Sequence, residues 1–116
     1  MNSEKINYAD KNASELIIEF QNLIKPNSGI IVLNCSKSSI EKEIVLRGLE
    51  ILPELIIHLT KNPPDENKSE TIVWTFLFYH IEKYTIKSFI APTELKNIKP
   101  WIEWAEIILK KNKSIA

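Results

Sequence analysis

Glycine, cysteine, histidine and net charge are all scarce in this chain, and each shortage removes a class of function. Only two glycines occur in 116 residues, Gly29 and Gly48, well apart. A phosphate-cradling loop needs several glycines in close register so that backbone N–H groups can approach the phosphates, which argues against the usual nucleotide-binding loops. The single cysteine, Cys35, has no partner for an internal disulfide and no neighbouring thiol or histidine for zinc-type spacing. Fifteen basic residues balance fifteen acidic ones. That balance lacks the basic excess with which nucleic-acid binders displace counterions. Long apolar runs are missing too: the richest window, Ile72 to Ile81, is broken by Thr75 and His80, whereas a spanning helix needs roughly 18 or more apolar residues. Residues Met1 to Lys5 carry no signal-peptide core. A cytoplasmic protein with no membrane partner is the expectation.

What is present is ordinary globular composition, 44% hydrophobic against 26% charged, enough for one core. The expected organisation is a flexible lead-in over 1–9 and a single helical domain over 10–113. Leu16, Ile17, Phe20, Leu23 and Ile24 follow helical spacing, and the run ends at Pro26. Gly29 to Asn34 reads as a short buried turn or extended link. Ser38 and Glu41 have capping-box spacing ahead of a second apolar stripe, Ile40, Ile44, Val45 and Leu49. Gly48 then suits the left-handed stop of that helix, and Pro53 suits the first turn of the next. The third helix carries Leu52, Leu55, Ile56 and Leu59 inward. The fourth, from Ser69, is apolar on nearly every side and belongs at the centre. After a connection from Thr85 to Pro92, the fifth begins between Thr93 and Pro100 and presents Trp101, Trp104, Ala105 and Ile108. The predicted class is all-α, about five helices in antiparallel hairpins, with helices two and three, and four and five, as pairs.

Chemistry-bearing residues are few. His58 follows Glu54 by four positions, a spacing for a solvated pair or for a carboxylate that orients an imidazole. His80 lies beyond Phe76 and Leu77 on an apolar face, reading as a core-edge histidine or as a base beside Glu82. Cys35 reads as a small buried thiol. Three carboxylate pairs, Glu15 with Glu19, Glu50 with Glu54 and Glu103 with Glu106, lack the Glu-x-x-His element of di-metal bundles. No catalytic set, metal site or cofactor is therefore expected. The remaining signal is aromatic: Trp101 and Trp104 share a helix face, and Phe89 and Ile90 precede them. Together these four are the candidate interaction residues, because aromatic side chains dominate interface hot spots, although the Trp pair also suits a core.

Gly48, Leu52-Pro53-x-Leu55, the Trp74 helix and Trp101-x-x-Trp104 together resemble a group of small bacterial HEAT-like helical proteins, over roughly residues 36–112. The chain departs from that group where Glu82-Lys83-Tyr84-Thr85 follows Ile81 in place of a Thr-Gly turn and a Pro. The resemblance implies a stack of helices that binds another protein, without catalytic activity, and it admits an immunity or antitoxin-type role against a toxin partner. A small enzyme or ligand binder using His58 or His80 is the contrasting expectation. Binding to nucleic acid through Lys110, Lys111 and Lys113 is the weakest.

Overall fold

The computed structural model describes residues 8–24, 39–64 and 69–115. Every regular element among them is helical: α1 (Ala13–Ile24), α2 (Ser39–Arg47), α3 (Leu52–Lys61), α4 (Ser69–Ile81) and α5 (Lys99–Ile115), with 3-10 turns at Tyr8–Asp10 and Gly48–Glu50. The chain is all-α. Cys35, the Gly29 to Asn34 segment and the Ser38 capping box lie outside the described residues.

Local chemistry explains the boundaries. At the start of α1, the Glu15 backbone N–H donates to Asn12 Oδ1 (2.9 Å) while the Asn12 N–H donates to Glu15 Oε1 (3.0 Å). This reciprocal cap satisfies two donors that a helix start leaves open. Just before it, Tyr8–Asp10 forms a turn where the sequence reading placed the end of a flexible lead-in. The cause is the only arginine: Arg47 Nη2 donates to the carbonyls of Tyr8 and Lys11, while its Nε donates to Glu43 (3.0 Å). Lysine has no planar fork with which to bind three acceptors in that way.

Gly48 takes φ +51°, as the helix stop requires, and a Cβ there would collide with the Thr85 methyl. Glycine thus serves twice, permitting the left-handed backbone and admitting a neighbouring segment. Thr85 also donates its hydroxyl to the Val45 carbonyl (2.6 Å). The connection expected over Thr85 to Pro92 starts later than its first residues: α4 continues as a π-helical turn, Glu82–Ile86, which ends at Lys87 with φ 54°, and residues 87–98 are irregular. That turn is docked against the end of α2 by the Gly48–Thr85 contact.

Backbones approach most closely between α1 and α2, α1 and α3, α2 and α4, and α3 and α5. Beyond the first pair, close neighbours are two apart along the chain, so α2 with α3 and α4 with α5 are not the main backbone contacts. α4 meets α5 through long side chains instead. Phe78 stacks on Trp101 and meets Trp104 edge-on, with centroids 6.2 Å away in both cases. On its other side α4 sends Trp74 against Phe20 of α1 at 5.1 Å. Val73, Trp74, Leu77, Phe78 and Ile81 of α4 are all buried, as are Leu16, Ile17 and Phe20 of α1 and Ile51, Leu52, Leu55 and Leu59 at α3. Each such side chain contributes about 1.5–3 kcal/mol of burial.

Candidate functional site

The segment after α4 is built around one carboxylate. Glu82 Oε1 accepts the Ser88 backbone N–H (2.9 Å) and the Ser88 hydroxyl (2.7 Å), and Glu82 Oε2 accepts the Phe89 N–H (3.0 Å). Lys87 N–H closes the π-helical turn onto the Glu82 carbonyl at 2.7 Å. Successive N–H groups around a carboxylate form a small anion nest, here filled by the chain itself. The consequence is at the next residue. Phe89 is held at φ 65° and is 91% exposed, with Ile90 half exposed beside it. A bulky aromatic in the left-handed region is a backbone outlier that persists only where its surroundings impose it.

The other two members of the expected aromatic patch lie elsewhere. Trp101 is 0% exposed and Trp104 2%, so no four-residue surface patch forms. Their rings sit 5.5 Å apart at 76°, against Phe78. Each indole N–H finds an acceptor at the core's edge: Trp101 Nε1 donates to the Glu94 carbonyl (2.7 Å) and Trp104 Nε1 to Ser88 Oγ (3.1 Å). Trp104 is therefore a support of the Phe89 turn from beneath, one hydrogen bond away from it.

Both histidines are bonded to residues of other helices, and neither to the same-segment glutamate that spacing suggested. His80 Nδ1 lies 2.8 Å from Glu41 Oε2 of α2, where Glu82 is committed to Ser88 and Phe89. Burial pushes the Glu41 carboxyl above its ordinary range, and the hydrogen bond from His80 opposes that push. The pair lies in a groove of about 460 Å³ whose walls include Val45, Leu46 and Tyr84, with Leu46 75% exposed. Lys83 places its ammonium over the Tyr79 and Tyr84 rings, at 5.8 and 5.3 Å. His58 Nε2 lies 3.1 Å from Gln21 Oε1 of α1, and Gln21 Nε2 lies 3.1 Å from Glu70 Oε2 of α4. Burial lowers the His58 pKa below its ordinary value, which favours the neutral ring. Glu54 lines the same cleft as His58.

The other described carboxylates decorate the surface or close local contacts: Glu19 pairs with Lys11 at 3.0 Å, and Glu15 caps α1. Among the described residues no three His, Cys, Asp or Glu side chains come together as a metal site would need. No described helix is long and apolar enough to cross a membrane. Sequence spacing could have flagged Asn12-x-x-Glu15 as a cap, whereas the pairings Gln21–His58, Gln21–Glu70 and Glu41–His80 join positions 37 to 49 residues apart and leave no local signal. Comparison with protein-family models, curated proteins and solved structures finds no match to this chain.

Proposed function

We propose that this chain is a protein-interaction module without catalytic activity, and that Phe89, with Ile90, is the anchor it offers to a partner protein. The observation that carries the reading is the fully displayed Phe89 ring on a left-handed backbone that Glu82 holds in place. Left-handed backbone costs a non-glycine residue about 1–2 kcal/mol, and an exposed phenyl ring returns none of it within the chain. Inserted into an apolar pocket, the same ring contributes about 1.5–3 kcal/mol, and its rigid setting spares part of the ordering cost of association. The alternation of close contacts, α1 with α3, α3 with α5 and α2 with α4, is the neighbour pattern of stacked helical repeats. It supports the HEAT-like reading, a scaffold that usually works by presenting surfaces.

The test compares wild type with Phe89→Gly in cross-linked pull-downs from the native host. Glycine relieves the backbone outlier, so the variant folds at least as well, and loss of a reproducible partner reports the ring alone. Identical partner sets from both proteins would end the assignment of Phe89. A toxin-neutralising role is the narrower form of this reading. It requires that the wild type, and not Phe89→Gly, protect cells from the product of a neighbouring gene.

A further inference from the structure

The cleft between α1 and α3 contains an imidazole whose protonation is set by logic that runs across three helices. An ionised carboxylate only accepts hydrogen bonds, so the Gln21 nitrogen must face Glu70 and the Gln21 oxygen must face His58. His58 Nε2 must then carry the ring proton and donate it, which leaves the Nδ1 lone pair unused. Among the described residues Trp74 Nε1 is the one sealed polar side-chain atom without a partner, so His58 Nδ1 is not sealed into the core. A hydrogen-bonded far nitrogen is also how proteins fix a ring's orientation and raise its strength as an acceptor. His58 packs on Trp74 at 5.4 Å, which holds the ring still.

The surroundings of that lone pair are chemically sorted. Glu54, His58 and Lys61 fall at i, i+4 and i+7 of α3, one face of the helix, and all three line a cleft of about 160 Å³. Ile17, Ile18 and Ile57 form its apolar wall, with Ile18 and Ile57 half exposed. A cavity of about 150 Å³ accepts a six-carbon ring, so the space suits a molecule of that size. It offers an anion, a neutral acceptor and a cation along one side, and aliphatic surface on the other.

We propose that this cleft binds a small zwitterion with an aliphatic side chain, an amino-acid-sized molecule. Its ammonium donates to Glu54 and to His58 Nδ1, its carboxylate meets Lys61, and its side chain lies on the isoleucines. The site shares no residue with the Phe89 turn and stands or falls without it.

Long-range proton–nitrogen NMR on the full chain tests the first link. The expected spectrum shows His58 as the Nε2–H tautomer, and an Nδ1–H tautomer would overturn the proposal. Titration with L-leucine, n-butylamine and isovalerate, followed at the His58 ring and the Trp74 indole, tests the rest. Saturable shifts with leucine are expected, with at least tenfold weaker binding of either half-molecule. Glu54→Gln and Lys61→Met alter partly or fully exposed positions, so they leave the fold intact, and each should weaken leucine at least tenfold. No saturable shift at 50 mM leucine, butylamine binding as tightly as leucine, or unchanged affinity in both variants would each refute the site.

Discussion

Trp104 and Phe89 are joined through a single serine, yet they sit at opposite extremes of exposure. Trp104 is sealed against Phe78 and Trp101 and donates to Ser88 Oγ, while the residue after Ser88 puts its ring almost wholly into solvent. Side-chain chemistry does not separate them, since both are large aromatics. The difference lies in the backbone beneath. Trp104 rides on a helix whose period turns it to the core, whereas Phe89 follows a π-helical turn and a left-handed residue that aim it away. An aromatic side chain in a sequence is therefore an offer of burial, and the local backbone decides whether the fold accepts it.

Removing the sealed ring should have the largest effect. Trp104→Ala deletes a fully packed aromatic and a hydrogen bond, and large-to-small core changes of this kind cost about 3–5 kcal/mol. Urea unfolding checks it, and a loss below about 1 kcal/mol would show that the ring is not part of the core. Because the lost partner is Ser88 Oγ, the amides of Ser88 and Phe89 should also exchange faster with solvent. Next in size is Glu82→Ala. That change removes a carboxylate acceptor from two backbone N–H groups and a hydroxyl, and a hydrogen bond to a charged group contributes about 1.5–3 kcal/mol net where it is shielded from water and less where solvent can replace it. At a partly exposed site a net loss of about 2 kcal/mol is expected, together with a Phe89 ring that is no longer fixed in NMR. An unchanged Phe89 environment would show that the turn holds without its clamp.

Phe89→Gly should move stability in the opposite direction, by a smaller amount. Relief of a positive φ is worth about 1–2 kcal/mol, from which the extra freedom of glycine in the unfolded chain subtracts about 0.5–1 kcal/mol. The expected outcome is a melting temperature equal to or slightly above that of wild type. A clear drop would mean that the ring already packs on something within this chain, and the contrast with Trp104 would collapse.

Helical period, helix stops and the core lists were legible in the sequence because they depend on near neighbours. Leu16, Phe20, Leu52, Leu55, Trp74 and Ile108 point inward as their spacing required. Gly48 was readable as a left-handed stop, but the approach of Thr85 that makes its missing side chain indispensable was not. The same holds for the site. Phe89 and Ile90 stood out as apolar residues in a connection, while Trp101 and Trp104 fit both a surface and a core, and only tertiary packing decides between those. What joins Glu41 to His80, or Gln21 to His58 and Glu70, is contact between helices distant in sequence, and no spacing rule carries that information.

The smallest of the effects is a contrast in pH response between two titratable groups, the half-buried His58 and the buried Glu41. Burial holds the His58 pKa below its ordinary value of 6.5, so in the unfolded chain the ring takes up a proton at a higher pH than in the folded one. Between those two values the unfolded state holds more protons, and the free energy of unfolding rises with pH. The contribution of His58 is thus intact above pH 6.5 and is lost as acid carries the pH down through the folded value. His58→Gln should flatten stability against pH in that window, with the loss of its packing on Trp74 appearing as an offset that pH does not change. Glu41 has the reverse sign: its folded pKa is raised above 4.5, so its share is complete below 4.5 and is lost as pH rises through the folded value. Glu41→Gln should accordingly relieve the cost of a buried charge near neutrality while still offering His80 an oxygen acceptor. Opposite slopes for the two variants in one set of unfolding curves would confirm that desolvation governs both groups. Parallel slopes would mean that the hydrogen bond from His80 outweighs burial at Glu41 and favours its carboxylate form.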